Sequence, residues 1–339
     1  MIFMNRYRIG FVLSKVLAQQ LFIPETLDFL RTFADFNPIH ALPECITRDF
    51  MLETLKDADA AVTCWGTPAF TPEMLNTLPR LRLVAHAAGS VKSLVPLEFW
   101  NGTRRITSNA PIIADDVAQT TLGYILTGLK HMYDFRADMM NGVWKHDPAK
   151  TVLRRPNGLT VGIVGASMVG KALIQYLKPF HCNILVADPF FSPFDAKMLG
   201  VTKMELNAML PLCDVVSLHA PANQDCLHLL NADNLPTLKD GCLLINTARG
   251  MLIEETALIR ELRMGRISAC LDVTDPEPPA KDNPLYTLPN VMLTPHIAGG
   301  HTQNGRIEMG NNIVNELYSY YMKGTLKFEI RNDALARMA

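Results

Sequence analysis

Short apolar runs alternate with amphipathic stretches along most of the chain. Residues 9–13, 60–65, 81–85 and 106–108 read as strands, and 24–36 carries its apolar residues on one helical face. A helical pattern without proline runs from Asp115 to about Met140, long enough to carry the chain from one lobe into another. A polar loop over 146–157, with Pro148 and Pro156, separates it from a second series of strands at 159–164, 184–187, 215–218, 242–245, 269–273 and 291–293. These later runs are apolar almost throughout, as strands buried on both faces are. The alternation predicts an α/β protein with parallel sheets and helical crossovers. At 339 residues the chain is long enough for two lobes, each with its own core.

Composition narrows the class. With 32 basic against 33 acidic residues the net charge is −1, and no run of one sign stands out, which argues against nucleic acid or a membrane surface as partner. The seven cysteines are scattered and never spaced as Cys-x-x-Cys, so they read as reduced, buried side chains and not as a disulfide frame or metal site. No apolar window is long enough to span a bilayer, and the run ending at Leu13 is too short for a signal peptide. The expectation is a cytoplasmic protein acting on small molecules.

The stretch Val161-Gly-Ile-Val-Gly-Ala-Ser-Met-Val-Gly-Lys-Ala-Leu173 joins a strand to a helix through a glycine-marked turn. A dinucleotide fingerprint has three glycines: one for the tight turn, one for close approach of the diphosphate, one for helix–strand packing. Gly165 and Gly170 hold the outer positions, and Ser167 stands at the middle one. Met168 and Val169 then open a helix over 168–178, whose free N–H groups and dipole suit a diphosphate. Ser167 is expected to displace the diphosphate slightly, with its hydroxyl facing a phosphate or capping the helix. Asp188 ends the next strand, seventeen residues (171–187) beyond Gly170, where a carboxylate accepts hydrogen bonds from an adenosine ribose. Pro189-Phe-Phe191 follows with no arginine for a 2′-phosphate, which favours NAD over NADP.

Ligands of open α/β sheets sit beyond the carboxyl ends of the strands, and here those ends carry polar groups. The run 215–218 delivers His219-Ala220-Pro221, and 242–245 delivers Asn246-Thr247-Ala-Arg249-Gly250. The run 269–273 contains Asp272 and leads to Glu277, and 291–293 leads to His296 and Gly299. Arg249 offers a planar, permanently charged fork for a carboxylate and a neighbouring carbonyl oxygen. His296 can exchange a proton near neutral pH, and Glu277 could fix its tautomer. His219 suits equally a structural strand-end histidine and a wall of the cofactor pocket.

Taken together, Gly158-Leu-Thr-Val-Gly-Ile-Val-Gly165, Asp188, Leu218-His-Ala-Pro221, Ile245-Asn-Thr-Ala-Arg-Gly250, Leu271-Asp-Val-Thr-Asp-Pro-Glu-Pro278 and Thr294-Pro-His-Ile-Ala-Gly299 resemble the D-isomer-specific 2-hydroxyacid dehydrogenases over nearly the whole chain. The resemblance implies a Rossmann NAD-binding domain over 112–300 and a flavodoxin-like substrate-binding domain over 1–111 plus 301–339. It implies Arg249, Glu277 and His296 as the catalytic trio, with Asp272 on the nicotinamide carboxamide and Asp188 on the ribose. It also implies a homodimer through the NAD-binding domain, no metal, and a 2-hydroxy or 2-oxo acid as substrate. A C-terminal helix over about 302–322 would rejoin the first lobe.

Three positions depart from the family pattern. They are Ser167, Cys226 where a threonine is usual, and the substrate loop, which reads Ala88-Gly89-Ser90-Val-Lys-Ser93. Backbone N–H groups of that loop could still grip a carboxylate, and Lys92 either favours a second negative charge or is simply exposed. A related formate dehydrogenase would carry glutamine where Glu277 stands. An NAD-sensing binding protein, like the corepressors of the same fold, could keep the trio with little turnover. With nothing after residue 339, a feedback-regulated biosynthetic enzyme is not the expectation.

Overall fold

The computed structural model describes residues 6–144, 147 and 151–337; part of the loop expected over 146–157, including His146 and Pro148, lies outside them. The chain forms two compact units, one running up to Ile113 and resuming at Gly300, the other spanning Ala114–Gly299.

In the first unit the strands are β1 (Tyr7–Val12), β2 (Ala34–Phe36), β3 (Ala60–Thr63), β4 (Leu83–His86) and β5 (Arg105–Ser108), joined at one edge by a strand from near the C-terminus. In the second they are β6 (Thr160–Val164), β7 (Asn183–Ala187), β8 (Thr202–Lys203), β9 (Val215–Leu218), β10 (Leu243–Asn246), β11 (Ser268–Leu271) and β12 (Val291–Leu293). The C-terminal strand is β13 (Glu329–Ile330).

The first sheet runs β13-β5-β4-β3-β1-β2, all parallel except β13, which is antiparallel to β5. Helices pack on both faces. The helix Gln303–Lys323 buries Met309, Ile313, Val314 and Leu317 against Phe11, Val62 and Ala85. On the other face Met51, Leu55, Leu78 and Leu81 close over Val84 and Ile106.

The second sheet runs β12-β11-β10-β9-β6-β7-β8 and is parallel throughout. Its order reverses at β6, which lies between β7 and β9, and a crevice opens at the carboxyl end of such a switch point. Nearly every residue of β9, β10 and β11 is buried, as the unbroken apolar runs predict. Among the described residues no helix is long and apolar enough to cross a membrane.

The structure corrects the expected elements in several places. The helix predicted over 24–36 ends at Arg31, and Ala34–Phe36 instead extends the sheet edge as β2, pairing Tyr7 with Ala34. Three residues carry no periodicity of their own, and an open neighbour, β1, decides their state. The long pattern from Asp115 to Met140 is two helices, Ala110–Leu129 and Met132–Met140, broken where His131 adopts a left-handed φ of 50°. The first of them starts ahead of the expected point: Pro111 sits in its opening turn, where a missing N–H costs no helical bond, and the Ser108 hydroxyl accepts from the Ala110 amide. The strands β8 and β13 have only two residues each and leave no alternating pattern to read.

Candidate active site

The turn after β6 is built around two glycines. Gly165 has a φ of 96°, and a Cβ there would lie 2.6 Å from the amide nitrogen of Ala220. At Gly170 a Cβ would run into the Gly165 carbonyl. A side chain at Gly165 would collide with the main chain that follows β9, and one at Gly170 with the turn itself. Ser167 caps the helix Met168–Leu177, its hydroxyl accepting from the Gly170 amide at 3.4 Å. Capping uses the hydroxyl as an acceptor and leaves its O–H to donate. The first-turn amides of Met168 and Val169 have no acceptor among the described residues.

Asp188 closes the turn from the β7 side. Its carboxylate accepts from the Ala166 amide at 2.7 Å and the Phe190 amide at 2.8 Å, one on each oxygen. Each oxygen keeps a lone pair for a hydroxyl donor. Free helix-end amides, a turn with no room for a Cβ, and a carboxylate at the next strand end fit a diphosphate and a ribose diol.

His219 ends β9 with one ring nitrogen engaged and its buried Nδ1 without a hydrogen-bond partner among the described residues. Its side chain is buried, with Nε2 2.9 Å from the Ser217 hydroxyl, and burial pushes its pKa down to about 3. The imidazole is therefore neutral, and main-chain atoms of His219 and Ala220 are the nearest neighbours of a Cβ placed at Gly165. Thr247 is likewise pinned inward, its hydroxyl 2.9 Å from that of Thr121.

The end of β10 is shaped by Asn246. Its side chain accepts from the Ala248 amide at 3.0 Å and donates to the Arg249 carbonyl at 2.8 Å, folding the turn back on itself. Arg249 is half-buried and donates to the Ala248 carbonyl at 2.6 Å. Burial lowers its pKa while the charge of Glu277 pulls the other way. A guanidinium remains charged under either influence, so a partly desolvated cation stands beside the carboxylate. Gly250 permits this approach, because a Cβ there would overlap the main chain of Thr274.

The side chains of His296 and Glu277 meet, with Nδ1 and Oε1 2.6 Å apart and both side chains exposed by more than a third. The contact leaves Nε2 of the imidazole as the nitrogen able to meet a ligand. His296 has a left-handed φ of 52°, and its loop is held by Asp272. That carboxylate is 1% exposed and accepts from the Ile297 amide at 2.9 Å, the Ala298 amide at 2.8 Å and the Thr294 hydroxyl at 2.6 Å. The Asp272 carbonyl also accepts from the His296 amide at 2.9 Å. Tyr124 supports the same loop through a 2.7 Å contact between its hydroxyl and that of Thr294. Sequence reasoning includes Thr294 in the marker 294–299 without a role and passes over Tyr124, which lies in a helix 170 positions away where no local pattern marks it.

The second unit therefore holds Gly165, Ser167, Met168, Val169, Gly170, Asp188, His219, Ala220, Pro221, Thr247, Arg249, Asp272, Glu277, His296 and Gly299, all at or near the carboxyl ends of its strands. Ala88, Gly89 and Ser90 lie in the first unit, after β4. There the Ala88 carbonyl accepts from the Asn109 amide at 2.9 Å, and the amides of Gly89, Ser90 and Val91 have no acceptor among the described residues.

Known proteins similar to this chain fall in one family. Residues 122–298 match the family described as D-isomer specific 2-hydroxyacid dehydrogenase, NAD binding domain. The chain is 31% identical over 290 residues to a D-3-phosphoglycerate dehydrogenase of Methanocaldococcus jannaschii, covering 85% of this chain but only 54% of that protein. It is 30% identical over 287 residues to a glyoxylate reductase of Pyrococcus furiosus, covering 81% of this chain and 83% of the relative. A crystal structure of a Thermus thermophilus protein superposes with a TM-score of 0.77 at 26% identity, covering 95% of this chain and 99% of that one.

Proposed function

Because the chain belongs to the D-isomer-specific 2-hydroxyacid dehydrogenase family, we propose that it interconverts a D-2-hydroxy acid and its 2-oxo acid with NAD(H). The observation that carries this reading is the 2.6 Å contact of His296 with Glu277, with the Arg249 cation in the field of the same carboxylate. Bound nicotinamide supplies or accepts the hydride. His296 gives its Nε2 proton to the oxygen of the 2-oxo group during reduction and takes it back during oxidation. Glu277 orients the ring through Nδ1 and stabilises the imidazolium. Arg249 binds the carboxylate and the adjoining carbonyl oxygen, polarising the carbon that receives hydride. The amides of Gly89, Ser90 and Val91 are suited to gripping the carboxylate without any charged side chain.

Met168, Val169 and Asp188 would hold the diphosphate and ribose. Asp188 disfavours a 2′-phosphate by charge, which supports NAD over NADP. Glyoxylate reductase and D-3-phosphoglycerate dehydrogenase, the names of two relatives, both denote chemistry at the carbon next to a carboxylate. Buried thiols such as Cys64 and Cys242, both pushed up to about 12 by burial, suit a reducing, cytoplasmic setting. Exposed Met132, Met140 and Trp144 in the second unit support a homodimer formed through that unit.

The test is a panel of 2-oxo acids with NADH, followed by nicotinamide absorbance. Turnover of at least one acid is expected, and His296→Ala should lower kcat by about 100-fold or more with NADH affinity retained. NADH binding without turnover of any acid would overturn the enzyme reading and leave a nucleotide-sensing protein.

A further inference from the structure

We propose that Arg306 receives a second anionic group carried on the side chain of the 2-oxo acid, which makes the preferred substrate a 2-oxo dicarboxylic acid. The inference rests on the function proposed above and names a substrate class within it.

Arg306 is half-buried and stands fourth in the helix Gln303–Lys323, where its amide closes the first turn on the Thr302 carbonyl at 3.0 Å. A cation at this end of a helix opposes the dipole and lowers stability. Three contacts fix the guanidinium, none of them with a carboxylate. Nε donates to the Gly300 carbonyl at 2.9 Å, Nη1 donates to Oε1 of Gln20, and Nη2 lies 3.3 Å from Nδ1 of His301. Arg306 forms no ion pair among the described residues. A guanidinium carries five N–H groups in one plane, so two remain after these contacts. A partly desolvated cation, held in place with donors to spare and no counter-charge, is built for an anion.

The group that Arg306 holds adjoins the loop proposed to grip the reacting carboxylate. Gly300 has a φ of 75°, and a Cβ there would lie 2.6 Å from Cη2 of Trp65 and 3.7 Å from Cγ1 of Ile113. Cδ1 of the same Ile113 lies 3.7 Å from where a Cβ on Gly89 would stand. Trp65, in the turn after β3, stacks on the His301 ring, with centroids 6.5 Å apart and planes 21° apart. Gly89, Ile113, Gly300, Trp65 and Arg306 thus form one contiguous stretch of the first unit. Backbone amides stand at one end of it and the spare guanidinium donors at the other. A diacid gripped at both ends lays its carbon chain against Ile113 and Trp65, and the planar fork meets its far carboxylate through two N–H groups. Lys92, which the sequence offers for a second negative charge, is exposed and screened by water, whereas Arg306 is half-buried.

The test compares kcat/KM with NADH for acids of matched length, oxaloacetate against 2-oxobutanoate and 2-oxoglutarate against 2-oxopentanoate. At least one diacid should exceed its uncharged match about tenfold or more, the size of one hydrogen bond to a charged group, and added salt should reduce that ratio. Arg306→Gln removes the charge but keeps a hydrogen-bond donor, and should lower the ratio about tenfold. If the variant does not fold, the ratio and its salt dependence in the unaltered protein still decide. Turnover of the uncharged acids with no preference for either diacid would overturn the inference. So would an Arg306→Gln protein that loses both members of a pair by the same factor, the pattern of an arginine that only fastens Gly300. Absence of turnover of every acid by the unaltered protein overturns the functional reading itself and this inference with it, a result distinct from either.

Discussion

His296 occupies a backbone region that a non-glycine residue enters at a cost of roughly 1–3 kcal/mol, with a φ of 52°. Asp272 offsets that cost by taking the Ile297 and Ala298 amides on its buried carboxylate. The resemblance implies a nicotinamide contact for Asp272; the geometry gives it the further task of shaping the loop that presents His296. Histidines elsewhere are placed with the opposite purpose. His86 and His219 are neutral because burial lowers their pKa from 6.5 to about 4 and about 3. A depressed pKa means that the unfolded chain binds the proton first as pH falls. The stability these two residues contribute is complete above about pH 6.5 and is lost progressively toward pH 4. Each adds up to about 1.4 kcal/mol per pH unit in that window. Calorimetry at pH 7 and pH 5 should show a clear fall in Tm, and His86→Gln should make the fall shallower. An equal fall in both proteins would mean that His86 does not titrate as its burial requires.

At the scale of elements, the active-site turns are coupled by backbone contact. Gly250 in the turn after β10 lies so close to Thr274 that a methyl group would overlap the main chain. Gly250→Ala should therefore push apart the turns carrying Arg249 and Glu277. The expected cost is about 1–3 kcal/mol of stability, together with a loss of kcat larger than the loss of NADH affinity. Denaturant unfolding and steady-state kinetics check this; a wild-type kcat would show that the turns move independently. The same scale shows what periodicity resolves. Long buried strands such as β9 and β10 are plain in the sequence, because nearly every residue must be apolar. The edge strands β2, β8 and β13 are not, since they are two or three residues long and exist by pairing. The β13 edge is further tied by Arg105 to Glu329 and by the Glu316 carboxylate, which accepts from the Lys327 and Phe328 amides. Those partners are separated from it by many residues or lie on another element.

At the scale of the whole molecule, the proposed homodimer is tested through the apolar side chains left on the surface. Met140 is 70% and Trp144 87% exposed, and Met132 lies on the same helix as Met140. Isolated exposed hydrophobics are ordinary, and the homodimer proposed above would use these three as its association surface. Sedimentation of the purified chain should give a dimer, and Trp144→Ala combined with Met140→Asp should shift it toward monomer. A monomeric unaltered chain would remove the dimer from the proposed function.

The sequence by itself determined which residues stand at the ends of which strands. Buried strands must be apolar and the residues just beyond them are free to be polar, so Arg249, Glu277, His296 and Asp188 stand out against a silent background. It also determined the outer glycines of the turn at Gly165, since only a residue without a Cβ fits there. Tertiary structure decided the rest. Ser167 became a helix cap, His219 turned inward to Ser217, and Asp272 gathered amides from a loop twenty-five residues away. The physical reason is common to all three. Backbone periodicity is written locally, whereas the partner of a polar side chain is whichever group the fold brings within hydrogen-bonding distance.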